Sequence, residues 1–278
     1  MRKTILALLL TTLPLAASAA DCRYSASRNA DLDAVGLNSL LLTLGSTDLD
    51  IQSVPGLNKV EVRGTACASD ASWLKDLQVS ASRNGAQATV DTRHDRGSIT
   101  FSLFGSSYAY LKLQVRVPAS LAIRIDSGSG DVNASSLASL AYSSGSGDLT
   151  ADHITGVLAL ELGSADVKAQ HVGSVDLNKT GSGDVRIDGV SGDVQAGHSG
   201  SGDLAFSNVG GNVYIDATGS GDVTLDNISH DARVGSTGSG DVTANGIGGN
   251  FTVGASGSGD IHHQNVKGKV SVPKSDDD

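Results

Sequence analysis

Large rings, prolines and positive charge are all scarce in this chain. Only ten of its 278 residues are aromatic (one Trp, five Tyr, four Phe), four are Pro, two are Cys and one is Met. A core built on big rings is therefore excluded. Collagen is excluded too, because prolines are few and glycine does not recur at every third position. The formal net charge of −10 leaves no basic footprint for DNA or RNA, nor for electrostatic adhesion to an anionic bilayer. Disorder does not fit a chain that is 39% hydrophobic and only 18% charged. Past the N-terminus no apolar run approaches the roughly 18 residues of a membrane-spanning helix. No Gly-x-Ser-x-Gly elbow occurs, and the Gly-Ser-Gly segments lack the Lys and helix of a phosphate-binding loop.

The N-terminus reads as an address. Arg2 and Lys3 precede an apolar stretch over 5–15, and Ala17-Ser18-Ala19 supplies the small residues of a cleavage site, so residues 1–20 are expected to be a signal peptide. Ala20 and Asp21 before Cys22 do not make a lipid-attachment signal. The expected location is exported: periplasm, cell surface or medium. In such a compartment Cys22 and Cys67 are expected to form one disulfide, closing a loop that contributes about 3–4 kcal/mol.

Against these shortages stands an excess of glycine, 35 residues, of which 28 lie from Gly128 onward. They belong to a repeat. Gly-Ser-Gly-Asp occurs at 128–131, 145–148, 181–184, 200–203, 219–222, 238–241 and 257–260, with the near-copy Gly163-Ser164-Ala165-Asp166. The aspartates Asp131, Asp148, Asp166, Asp184, Asp203, Asp222, Asp241 and Asp260 follow each other at 17 to 19 residues, the period of a solenoid. One residue past each stands Val, Leu or Ile. Six past stand Leu137, Ile154, Val172, Val190, Val209, Ile228, Ile247 and Val266. Alternation between these positions, repeated in the second half of each unit, predicts two short half-buried strands per coil. Asn, Gly or His just before the sixth position fits a turn with positive φ. The expected fold is all-β, a parallel right-handed β-solenoid (β-helix) of 17–19-residue coils.

The expected organisation is a β-rich section over 21–126, regular repeats over 127–273 and an acidic tail over 274–278. The section at 21–126 should hold a first coil near 45–62, with Gly45-Ser46-Thr47-Asp48 as its corner and Val60 and Val62 as its second strand, and then an insertion. A short helix near Trp73, capped by Ser69 or Asp70, and strands at 77–82, 88–92, 98–103 and 111–117 complete that section.

These features resemble the DUF4097-like adhesin family of bacterial exported β-solenoids. They are the leader, the paired-strand start, a strand ending in Pro118-Ala119-Ser120-Leu121, and the Gly-Ser-Gly-Asp-Val repeats. The resemblance spans roughly 45–272. It implies a non-catalytic surface protein that presents a repetitive face to an envelope, glycan or protein partner, and it brings no catalytic residue. The alternative is a periplasmic scaffold or accessory protein of the envelope. No C-terminal barrel or sorting motif is seen.

Candidate chemistry is limited. The eight repeat aspartates would form a ladder whose neighbours, about 4.8 Å apart, repel by roughly 1 kcal/mol in water. Backbone N–H capping by the corner is the expected answer to that repulsion. Ca²⁺ held between coils is the competing one, although Asp here directly follows Gly and directly precedes the aliphatic residue, unlike nonapeptide β-rolls. His153 and His171 share a turn position in adjacent coils. They are read as solvated turn residues, and no metal site or cofactor is assigned. Asp152, Asp188 and Asp226 share another position, the one arrangement that could serve a polysaccharide-cleaving β-helix. Tyr142, Tyr214, Phe206 and Phe251 are the aromatics of the repeat region, and Thr150, Thr224 and Thr243 stand too isolated for an ice-binding array.

Overall fold

A computed structural model describes residues 22–92 and 107–273. The expected leader, the expected strand at 98–103 and the tail at 274–278 lie outside the described residues.

The strands are β1 (Tyr24–Ser27), β2 (Ala30–Asp33), β3 (Ser39–Leu44), β4 (Asp48–Val54), β5 (Lys59–Ala68), β6 (Ser80–Asn84), β7 (Gln87–Asp91) and β8 (Ala109–Pro118). There follow β9 (Ala122–Ser127), β10 (Val132–Ser135), β11 (Ser139–Ser144), β12 (Leu149–Leu162), β13 (Val167–Thr180), β14 (Val185–Val190), β15 (Val194–Ser199) and β16 (Leu204–Val209). The last are β17 (Val213–Thr218), β18 (Val223–Ile228), β19 (Ala232–Thr237), β20 (Val242–Ile247), β21 (Phe251–Ser256), β22 (Ile261–Gln264) and β23 (Val270–Ser271).

They stack into two parallel ladders. The first runs β8, β4, β10, the leading halves of β12 and β13, then β14, β16, β18, β20 and β22. The second runs β7, β3, β9, β11, the trailing halves of β12 and β13, then β15, β17, β19, β21 and β23. Each Gly-Ser-Gly-Asp corner joins a strand of the second ladder to one of the first. Register is strict, with Val185, Leu204, Val223 and Val242 paired in succession. A solenoid of stacked parallel coils is therefore the fold.

The core follows from the side-chain period. Val, Leu, Ile, Ala and Phe at alternate strand positions turn inward, and the sixth-position residues from Leu137 to Ile247 are at most 1% exposed. Tyr142, read from the sequence only as a repeat-region aromatic, is also buried. Its hydroxyl donates to the Gly147 carbonyl at 2.6 Å, and burial pushes its phenol up to about 12. A column of hydroxyls lines the inner side of the corners. Ser144, Thr180, Ser199 and Thr237 each donate to the carbonyl of the second corner glycine, at 2.9, 3.2, 3.0 and 2.9 Å. In the coil that carries Leu162 in place of that hydroxyl, Ala165 stands in place of that glycine, and its backbone carbonyl has no such hydroxyl to accept from.

Chain order and spatial order part company at the N-terminal end. The coil of β3 and β4, with the corner at Gly45, lies between β7/β8 and β9/β10, although β7 and β8 follow it in the chain. The second strand of this coil is β3, which precedes the corner. Val60 and Val62 lie instead in β5, antiparallel to β8, with Val62 opposite Val115. The turn at Gly56 (φ +77°) reverses the chain, and a period of two is the same for parallel and antiparallel strands. β1 and β2 pair antiparallel to β5, and β6 to β7, which closes this end of both ladders. The helix expected near Trp73 is a single 3₁₀ segment, Ala71–Lys75, capped by Asp70. Arg28 holds its C-terminal end through the carbonyls of Leu74 and Leu77, both at 2.6 Å. Cys22 and Cys67 are disulfide-bonded, tying the chain ahead of β1 to β5.

Candidate functional site

Three surfaces of the array carry polar chemistry: the aspartate corner, the opposite corner and a groove near the N-terminal cap. At the first corner each carboxylate accepts the backbone N–H of the aspartate one coil further on. The bonds run from Asp131 N to Asp48 Oδ1 (3.4 Å), then along Asp148, Asp166, Asp184, Asp203, Asp222, Asp241 and Asp260 at 2.8–3.1 Å. The aspartate carbonyl answers by accepting the N–H of the preceding coil's first strand residue, as in Val223 N to Asp241 O at 2.8 Å. One oxygen of each carboxylate from Asp48 to Asp241 is thus committed to its neighbour, and these charge-assisted bonds offset the repulsion along the ladder.

A second ladder opens the strands of the other sheet. Asp193, Asn212, Asp231 and Asn250 accept from the backbone N–H of Asn212, Asp231, Asn250 and Lys269 at 2.7, 3.2, 2.7 and 2.9 Å. Alternating Asp with Asn keeps the acceptor while halving the charge. The Asn212 backbone N–H and then its side-chain amide hold the Asp193 carboxyl below the ordinary range. Sequence reasoning passed over this ladder, although Asp193, Asn212, Asp231 and Asn250 recur at a fixed interval of 19.

At the second corner the expected positive-φ positions are found at Ser136, His153, His171, Gly189, Asn208, Asn227, Gly246 and Asn265 (φ 54–75°). Register then decides what the carboxylates can do. Asp152 pairs with Gln170, Gln170 with Asp188, Asp188 with Ser207 and Ser207 with Asp226, so the carboxylates occupy alternate coils. Two coil spacings put successive carboxylates about 9.6 Å apart, beyond the roughly 5–5.5 Å of a retaining glycosidase pair and at the outer limit of an inverting one. The side chains of Asn208 and then Ser207 hold the Asp188 carboxyl below the ordinary range, whereas a general acid needs the opposite shift. His153 and His171, by contrast, are brought together. Their rings stack at 4.6 Å and both reach Asp152, whose carboxyl His171 and then His153 hold below the ordinary range.

The third surface is a shallow groove of about 610 Å³ on the outer face of the first sheet. Asp50, Arg63, Tyr110, Lys112, Gln114 and Asn133 are among its lining residues. Asn133 donates to Asp50 at 2.9 Å, and the Lys112 ammonium lies 5.7 Å from the Tyr110 ring centre. It is a concave polar surface carrying both charges and one aromatic ring.

Residues 38–218 match the profile of the family described as Toastrack DUF4097. No curated protein matches the chain. Among solved structures, it is similar to a "putative cell adhesion protein" from Clostridium sporogenes ATCC 15579, at 12% identity over 90% of this chain and 100% of that one, with a TM-score of 0.32. A "putative adhesin" from Parabacteroides distasonis ATCC 8503 is similar at 10% identity over 90% and 97%, with a TM-score of 0.43. Another from Bacteroides fragilis NCTC 9343 is similar at 13% over 90% and 98%, with a TM-score of 0.29.

Proposed function

The chain belongs to the Toastrack DUF4097 family, and on that premise we propose that it is an exported, non-catalytic envelope protein that presents its solenoid face to a partner as an adhesin. The observation that carries this reading is the strict register of the outer faces. On the first sheet Asn133, Thr150, Lys168, Arg186, Ala205, Thr224 and Thr243 stand one above another along a single rigid line. Held this way by backbone hydrogen bonds, the strands that carry these side chains lose little further freedom when a long polymer lies along them. The groove with Tyr110 ends that line near the capped end. Its ring and its planar polar side chains suit a sugar or an extended peptide. The disulfide between Cys22 and Cys67 fits an oxidising compartment.

The test has two arms. Purified protein is passed over immobilised glycans, matrix proteins and envelope fractions, and a deletion strain is compared with its parent for attachment. Saturable binding weakened by Tyr110→Ala and Arg63→Ala supports the reading; no binding together with unaltered attachment sinks it. Protection from added protease on intact cells, with release by osmotic shock, would favour a periplasmic scaffold instead.

A further inference from the structure

His153 and His171 occupy a backbone position that other coils fill with Ser136, Asn208, Asn227, Asn265, Gly189 or Gly246, all at positive φ. The turn therefore does not need an imidazole, and asparagine or glycine meets its conformational demand at lower strain. Two adjacent coils nevertheless carry one each, and both face the same carboxylate. His153 Nδ1 lies 2.8 Å from Asp152 Oδ2, and His171 Nδ1 lies 2.9 Å from Asp152 Oδ1. One ligand atom from each of the three residues lies within 4.8 Å of the other two.

The surroundings are irregular here, in a pair of coils whose register shifts again between Leu160 and Glu161. β12 and β13 run unbroken through the corner for 14 residues each, and their pairing slips between Ile154 and Val157. In the next coil the position above His171 is Gly189, where a Cβ would come 3.9 Å from His171 Cδ2. With no side chain there, the outer side of the cluster stays open. The Asp188 carboxylate, one coil on, adds negative potential beside His171.

We propose that Asp152, His153 and His171 form a binding site for a divalent transition-metal ion of the Zn²⁺ class. Two imidazole nitrogens and one carboxylate oxygen are the ligands, and water fills the open position. This donor set suits Zn²⁺, Cu²⁺ or Ni²⁺ and is too poor in oxygen for Ca²⁺. Ligand atoms about 2.0–2.1 Å from a tetrahedral ion stand roughly 3.3 Å apart. The Nδ1···O contacts, 2.8 and 2.9 Å to the two oxygens of one carboxylate, are shorter than that spacing, so the rings and the carboxylate part to admit the ion, each neutral ring shifting its proton to Nε2. All three side chains are at least half exposed (50–62%), so the movement meets no packing resistance.

The test is calorimetric titration of the chelator-treated, tag-free protein with Zn²⁺, and separately with Ca²⁺. The variants are His153→Asn, His171→Asn, the double variant and Asp152→Asn. Asn is what three other coils carry at this φ, so the turn is kept, and far-UV circular dichroism checks the fold. The expected result is one saturable Zn²⁺ per chain, at least about tenfold weaker in each single variant and lost in the double one. His230→Asn, at a separate corner where His230 contacts the Gly210 carbonyl, leaves it unchanged. Ca²⁺ does not compete. Absence of saturable Zn²⁺ binding below about 100 µM overturns the proposal, as does unchanged binding by the folded double variant.

Discussion

Two glycines in the same place, the first residue of a corner, should respond differently to a methyl group. On Gly219 an ideal Cβ falls 2.4 Å from the carbonyl oxygen of Gly200 in the neighbouring coil; on Gly145 it falls 3.1 Å from that of Gly128. Neither has positive φ, so steric contact alone separates them. At Gly145 an adjustment of a few tenths of an ångström suffices, and the Gly128 oxygen that must give holds one bond there, from Ser146 N at 2.9 Å, which such a shift leaves within useful length. At Gly219 the oxygen must retreat by about 0.6 Å to reach the shortest contacts that real Cβ atoms make. That same oxygen accepts from Gly219 N at 3.1 Å and Ser220 N at 2.9 Å. Both bonds would stretch to about 3.5 Å or more, past useful length.

Two backbone hydrogen bonds at roughly 0.5–1.5 kcal/mol each put the cost of Gly219→Ala at about 1–3 kcal/mol. The stiffer unfolded chain returns about 0.4–1 kcal/mol in both variants. Gly219→Ala should therefore be less stable by about 1–2 kcal/mol, a melting temperature some 2–8 °C lower, while Gly145→Ala stays within about 2 °C of the parent. Thermal melts followed by circular dichroism, repeated as urea titrations because stacked repeats need not unfold in two states, measure the difference. Equal shifts in the two variants, or a larger one at Gly145, would refute the steric reasoning.

Other outcomes follow from the ladders and the cap. Asp222→Asn keeps the acceptor for Asp241 N, as Asn212 and Asn250 do in the other ladder, and removes two repulsions of roughly 1 kcal/mol each in water. It should be at least as stable as the parent and less sensitive to added salt, whereas Asp222→Ala should be about 1 kcal/mol less stable than the Asn variant by urea denaturation. The carboxyls of Asp152, Asp188 and Asp193 are held below their ordinary values by hydrogen bonds. Their stabilising effect is thus present above the unfolded value near pH 4 and is lost as pH falls through the lower folded values. Urea midpoints taken from pH 6 to about pH 2.5 should fall on the acid side, and less steeply in a variant with all three changed to Asn. Replacing Cys22 and Cys67 by Ser should loosen the exposed strand β1 without touching the far coils. Hydrogen exchange should therefore speed up at Tyr24–Ser27 and stay unchanged at Val223–Ile228.

Much of this was visible along the chain because a solenoid is nearly one-dimensional. An aspartate every 17 to 19 residues, aliphatics one and six places later, and Asn, Gly or His before the sixth place gave the coil, its inward faces and its positive-φ turns. The buried hydroxyl column ahead of each corner was equally periodic and was missed, because Ser and Thr read as surface residues until their carbonyl partners are known. The N-terminal section was less legible. Val60 and Val62 alternate as any strand does, and alternation carries no direction, so their antiparallel place beside β8 could not be read from spacing.

The sequence by itself determined the repeat, the strands and which side chains turn inward, since these depend only on local period and on the conformational freedom of glycine and asparagine. The tertiary structure alone decided which coil lies against which. It seated β3 and β4 between strands that follow them in the chain. It turned two imidazoles of adjacent coils onto one carboxylate. Contacts between coils join residues as little as 17 and as much as 83 positions apart, and their distances are set by the register of backbone hydrogen bonds between coils, which no single coil contains.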